Sequence, residues 1–361
     1  SFYANLVKRC ALYYATVILE SSGRTDMAWE VGELFHYVGN PMTRTLMSTA
    51  ASSKFYWEPL TESTLADANA YIEHRRQTAR SISLYGLDPE TGKERLYSSS
   101  RESWLYMLKD VEVESWLNLD SRSVKLMRSH TGEVLALALI VPIHSGTLPV
   151  LKQDPLCGPY LASLSPAELR QLDVPPDRPA GWFNRSLDVS DVTDPDLRAD
   201  VMKMFYSYIC MGGLFIASPP ATEMNELAHL SVGFEVVEGV SHTFYDGRTP
   251  TPTYVLDTRK ERLKSYLARL MHHLSIPFEI HGSRPTLVEA SRASSQLVEP
   301  LTKREQEVAD LVLAGFSNAE IGTRLFLSEV TVKKHLTSVF AKMGVKTRSQ
   351  LVRMMLQGEG E

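Results

Sequence analysis

Residues 329–348 carry five basic side chains, Lys333, Lys334, Lys342, Lys346 and Arg348, against a single acid, Glu329. In the same stretch Val332, Leu336, Val339, Phe340 and Met343 recur at helical spacing, which predicts a helix with one apolar stripe. Its other face presents Lys333, Lys334, Thr337, Ser338 and Ala341. A rigid helix with such a face fits the major groove of double-stranded DNA, where Lys donates to guanine O6 and N7. The plainer alternative is a solvated charged face, but it leaves the agreement of caps, spacing and face unexplained.

Other chemistry-bearing residues converge less. Cys10, Cys157 and Cys210 lie far apart with no CxxC pair, which argues against a disulfide framework and a zinc site. His272-His273 sits beside Met271 and Leu274 on an expected helix and has no third ligand at metal spacing. Gly212-Gly213 reads as a turn before a strand, not as a phosphate loop. No cofactor and no metal are expected.

The elements that must position the basic face are short helices with marked beginnings. Thr302-x-x-Glu305, Ser317-x-x-Glu320 and Thr347-x-x-Gln350 are capping boxes, and Ser328 is a simpler N-cap. The first helix carries Val308, Leu311 and Val312 and ends at Gly315; the second carries Ile321 and Leu325. Four short helices around one small core are predicted, with a helix-turn-helix in the second and third.

Leu301-Thr-x-Arg-Glu-x-Glu-Val308, Gly315-x-Ser-Asn-x-Glu-Ile321, Leu327-Ser-x-x-Thr-Val-Lys-x-His335 and Lys342-x-Gly-Val-x-x-Arg348 closely resemble the LuxR-type (GerE-like) DNA-binding domain. The match covers about a sixth of the chain and departs from the family pattern at Ala309 and Gly322. The resemblance implies base contacts from Lys333, Lys334 and Thr337. It implies phosphate contacts from Ser317, Asn318, Thr331, His335, Lys342 and Arg348; a packing role at the helix seam is the other reading of His335. It further implies a homodimer joined through Leu351, Val352, Met355 and Leu356 of the fourth helix.

The preceding 300 residues are expected to carry the input. Neither a receiver-type acidic pair nor the residue pattern of an acyl-homoserine-lactone sensor is found. The first fifty residues read as helical. Strands are expected at 55–60, 123–128, 134–141, 182–189, 213–217, 234–238 and 253–257, with helices from 61 and near 197–210, 221–232 and 259–274. That order predicts an α/β or α+β domain with a mixed β-sheet. Residues 83–100 read as turn-rich, and 142–180, with many prolines, as a long irregular insertion.

The same order, with Gly132-Glu-Val-Leu-Ala-Leu-Ala-Leu139 and Ala228-His-Leu-Ser-Val-Gly-Phe-Glu235, resembles the GNAT (N-acetyltransferase) fold. That family holds acyl-CoA pyrophosphate on a Gly-rich turn at a helix N-terminus. Here the corresponding stretch, Val189–Arg198, has no glycine, and Asp191, Asp194 and Asp196 would repel phosphate. His229 stands where many members place a Tyr acid, and reads as a surface or core histidine. Asp188 reads as a strand-end or cap residue rather than a base. Catalysis is therefore expected to be lost, leaving a sensor or dimerisation scaffold; an active N-acyltransferase fused to a DNA-binding module is the alternative. Trp29, Trp57, Trp104, Trp116 and Trp182 read as core residues, with Trp182, Phe183 and Tyr208 the candidates to line a small-molecule effector pocket.

Cys10–Leu19 after Lys8-Arg9 is too short to span a bilayer and lacks a small-x-small cleavage site, so a cytoplasmic protein without a membrane partner is expected. The expected organisation is a helical segment at 1–50, an α/β domain at 51–281, a linker at 282–300 and the DNA-binding domain at 301–361. The chain's formal charge of −5 would argue against DNA if it were uniform. Residues 301–361 instead hold nine Lys and Arg against seven Asp and Glu, so the acidity belongs to the remainder.

Overall fold

Val134–Ile143 forms a strand whose last eight side chains are all buried, as its unbroken apolar run requires. The computed structural model describes residues 2–21, 27–39, 41–47, 54–87, 93–272, 301–313, 318–325, 327, 329–343, 345, 350 and 351. The chain divides into two compact units, one of residues 14–278 and one of residues 1–13 with 279–361.

Helix α1 (Phe2–Glu20) runs across the division at residue 14. The unit of residues 14–278 is mixed α/β, and in it α2 (Ala28–Val38) and α3 (Pro41–Leu46) precede β1 (Phe55–Pro59) and α4 (Leu65–Thr78). After β2 (Ile82–Leu87) and β3 (Glu94–Ser99) come α5 (Arg101–Met107), α6 (Val113–Leu119), β4 (Val124–Ser129) and β5 (Val134–Ile143). Helices α7 (Leu148–Leu151), α8 (Gly158–Ser163) and α9 (Pro166–Leu172) lead to β6 (Gly181–Val189) and α10 (Pro195–Ile209). Then follow β7 (Leu214–Ala217), α11 (Glu223–Ser231), β8 (Glu235–His242), β9 (Thr251–Asp257) and α12 (Glu261–His272).

Seven strands form one sheet in the order β1-β4-β5-β6-β7-β9-β8. Its neighbours are antiparallel except β6 and β7, which run parallel across α10 as a β-helix-β crossover requires. Gly181 faces Leu214 at the start of that parallel pair, and a Cβ there would fall on the Leu214 carbonyl, so only glycine permits the approach. The β5–β6 register shifts between Leu139 and Ile140: Leu139 faces Ser186 and Ile140 faces Asn184, which leaves Arg185 as the extra residue of a bulge. The main core gathers Leu137, Leu139, Val141, Phe183, Leu214 and Ile216 with side chains from α4 and α6 to α8.

Two stretches differ from their sequence reading. Residues 83–100 contain a hairpin of β2 and β3, in which Leu84 faces Tyr97 and Tyr85 faces Leu96. Both faces carry exposed positions, so the apolar alternation that marks a strand is weak there. Residues 142–180 contain α7, α8 and α9 instead of one irregular insertion. Prolines stand in the first turn of each, where the missing N–H would be unpaired anyway.

In the second unit, α13 (Lys303–Leu313), α14 (Asn318–Leu325) and α15 (Glu329–Met343) enclose Val308, Ala309, Val312, Ile321, Val332, Leu336 and Val339. Gln350 and Leu351 are helical, and the rest of the expected fourth helix lies outside the described residues.

Candidate functional sites

The polar residues at the start of α13 have a concrete use. The Thr302 backbone N–H donates to Glu305 Oε2 at 2.7 Å, and the Glu305 N–H donates to Thr302 Oγ1 at 3.3 Å, closing the predicted capping box. The same carboxylate accepts from Ser338 Oγ at 2.5 Å and from Lys342 Nζ at 2.8 Å, both on α15. Lys342 and Ser338, with the Thr302 N–H, hold the Glu305 carboxyl down to about 2. One acid thus caps α13 and fixes α15 against it. Arg304 pairs with Glu307 at 2.6 Å and donates through Nη2 to the Leu325 carbonyl at the end of α14. The Leu327 N–H donates to the Gly322 carbonyl at 2.8 Å, turning the chain from α14 toward α15.

With α15 held in this way, Val332, Leu336 and Val339 are buried while Lys333, Lys334, Thr337 and Ala341 are exposed. Thr337 Oγ1 donates to the Lys333 carbonyl at 2.9 Å. Asn318, Thr331, His335 and Lys342 are half-buried. Leu351, expected on a dimerisation surface, is instead fully buried in its own unit's core, where Val345 and Val339 also lie. Ser317, Arg348, Val352, Met355 and Leu356 lie outside the described residues.

In the α/β unit, Asp188 on β6 is completely buried. It accepts from Tyr71 Oη at 2.7 Å and from the Arg75 guanidinium fork at 2.7 and 3.1 Å. Burial pushes this carboxyl up, and Arg75 and Tyr71 pull it down. A carboxylate so enclosed is structural. At the start of α10, Asp194 Oδ1 accepts from the Asp196 N–H at 2.9 Å and the Leu197 N–H at 3.1 Å. The donors that a phosphate would use at this helix end are already taken by the chain's own acid.

A serine–histidine contact is also present: Ser218 Oγ lies 2.8 Å from His242 Nε2. The Phe244 N–H donates to His242 Nδ1 at 3.2 Å, so the proton sits on Nε2, and Ser218 donates to the Pro252 carbonyl at 2.8 Å. The imidazole cannot take the serine proton in this tautomer. Burial raises Cys157 well above the usual thiol range and Cys210 to about 12, so neither is a poised nucleophile. Among the described residues, no three His, Cys, Asp or Glu side chains gather as metal ligands; His272 is exposed, and His273 lies outside those residues.

A cavity of about 110 Å³ lies beside α10 and α11, lined by Trp104, Asn184, Leu187, Val189, Arg198, Met202, Phe205, Met224 and His229 among others. His229 Nδ1 lies 2.7 Å from the Asn225 carbonyl, and a carbonyl only accepts, so Nδ1 bears the proton. Burial lowers the ring to about 4, and its Nε2 is buried without a hydrogen-bond partner. Trp104 Nε1 and Asn184 Oδ1 share that condition. The aromatic residues proposed from the sequence stand outside this cavity. Trp182 meets Tyr208 edge-on with centroids 5.6 Å apart, and Phe183 is fully buried in the main core. Asn184 and Arg198 were not singled out by sequence, since a wall assembled from several elements leaves no spacing to read.

No helix among the described residues is long and apolar enough to cross a membrane. Residues 299–355 match the family described as bacterial regulatory proteins, luxR family. The chain is 45% identical over 62 residues to spore germination protein GerE of Bacillus subtilis (strain 168), covering 17% of this chain and 84% of that protein. It is 48% identical over 52 residues to transcriptional regulatory protein DegU of Brevibacillus brevis, covering 14% of this chain and 22% of that protein. Identity to oxygen regulatory protein NreC of Staphylococcus aureus (strain JH9) is 40% over 57 residues, covering 16% of this chain and 26% of that protein. The chain therefore spans about a quarter of the length of the latter two.

Proposed function

This chain belongs to the LuxR family of bacterial regulatory proteins, and we propose that it is a DNA-binding transcriptional regulator whose α15 enters the major groove. The observation that carries this reading is the exposed Lys333, Lys334 and Thr337 face on a helix pinned to α13 by Glu305. These three side chains read base edges; Asn318, Thr331, His335 and Lys342 set the register on phosphates, together with Ser317 and Arg348. Val352, Met355 and Leu356 supply the apolar contact of a homodimer, which places two recognition helices on paired half-sites.

The α/β unit is the input module, built on an acyltransferase-like sheet but used for binding rather than group transfer. Its mixed sheet, with one parallel step across α10, supports that reading. The Asp194 cap that occupies the α10 N-terminus argues against acyl-CoA phosphate binding. An effector that binds one arrangement of the dimer better shifts the population toward it. The linker at 282–300 separates this module from the DNA-binding domain at 301–361.

Selection of duplexes from a random-sequence library by the full chain tests the central claim. Enrichment of paired, two-fold related half-sites is expected. Recovery of duplexes without any shared sequence would overturn specific major-groove reading.

A further inference from the structure

Four side chains that line the cavity beside α10 and α11 carry a buried polar atom with no hydrogen-bond partner: Trp104 Nε1, Asn184 Oδ1, His229 Nε2 and Nε of Arg198, whose guanidinium is held through Nη1 instead. Indole N–H only donates. His229 Nε2 offers a lone pair, because the Asn225 carbonyl holds the proton on Nδ1. Asn184 offers its carbonyl oxygen, or its amide N–H if the side chain is turned over. The wall therefore asks for an acceptor and a donor together, and a hydroxyl group is both.

The rest of the lining is mostly apolar, with the thioethers of Met107, Met202 and Met224 near the Phe205 ring, and Ser99, Ser103, Thr222, Asn225 and Arg198 as its other polar members. Methionine sulfur and aromatic edges are favourable company for a ring. The volume of about 110 Å³ far exceeds the roughly 10–15 Å³ a water needs. Arg198 is the one Lys or Arg on the wall. It donates to the Val192 carbonyl at 2.7 Å, and the charges of Asp194 and Asp191 act on it, which offsets its pull on an anion.

We propose that this cavity binds a small, uncharged, hydroxyl-bearing aromatic molecule, with the hydroxyl placed among Trp104, Asn184 and His229. The inference rests on the reading of the α/β unit as an input module and names the chemistry of its effector.

Three probes that share a tolyl ring separate the possibilities: p-cresol, toluene and 4-methylbenzoate, each titrated into the full chain by calorimetry with thermal melting alongside. p-Cresol should bind and raise the melting temperature, with toluene and 4-methylbenzoate each roughly tenfold weaker or more. In Trp104→Phe and His229→Phe the preference for p-cresol over toluene should fall by roughly tenfold, while toluene binding holds. Equal binding of toluene and p-cresol, or tighter binding of 4-methylbenzoate, overturns the hydroxyl assignment but leaves a binding module. Failure of all three probes to bind the folded, unsubstituted chain overturns the input-module reading of this cavity itself.

Discussion

Glu305 and Lys342 meet at 2.8 Å, joining the first turn of α13 to the last turn of α15. The contact means that the acid in the Thr-x-x-Glu motif serves two helices, not one.

Glu305→Gln should therefore loosen α15 and weaken binding to every DNA sequence together, without changing which sequence is preferred. Fluorescence anisotropy on specific and scrambled duplexes checks this; a change in preference would place Glu305 at the bases. The carboxyl sits at about 2, below its ordinary 4.5. Its contribution to stability is thus full above about 4.5 and is lost as pH falls toward 2.

Lys333→Ala and Lys334→Ala should each cost roughly 1–3 kcal/mol of operator binding if they read bases, and relax the preference at one position. A pure phosphate contact would instead lower the salt slope by about one without altering preference. Binding measured from 50 to 200 mM salt on single-position duplex variants distinguishes the two.

Asp188→Ala leaves the Arg75 guanidinium buried without its carboxylate and should cost roughly 3–5 kcal/mol in urea unfolding. Tyr71→Phe removes one bond to the same acid and should cost less, roughly 1–3 kcal/mol. A small effect of Asp188→Ala would show that water reaches the pair.

His229 is held near 4 by burial, against an ordinary value of 6.5. Between these values the unfolded chain takes up a proton that the folded one does not, so stability falls as pH drops from about 6.5 to about 4. The loss is on the order of 3 kcal/mol. His229→Phe should flatten that part of the stability–pH curve; an unchanged slope would assign it to other groups.

The sequence was most legible where function depends on local order. The Thr302 box and the stripe of Val332, Leu336 and Val339 are short-range signals, and they survive into the folded unit unchanged. The apolar strand expected at 134–141 was legible for the same reason, and it runs on to Ile143. The β2–β3 hairpin was not, because Tyr85 and Leu96 pair on an exposed face that carries no burial pattern. The cavity was not legible either: Trp104 and His229 lie 125 positions apart and meet only through the sheet. Leu351 had the right apolar type for a partner surface, but its own unit claims it first.

The bulge in β6 decides the character of that cavity. Along a regular strand, side chains three positions apart point to opposite sides, so Asn184 and Leu187 would face away from each other. The unmatched Arg185 resets the parity, and Asn184, Leu187 and Val189 all line one wall. Deleting a single residue at this point would rotate either the amide or both aliphatic side chains out of the wall. A one-codon change would thus remake this cavity wall while the strand order of the sheet stayed the same.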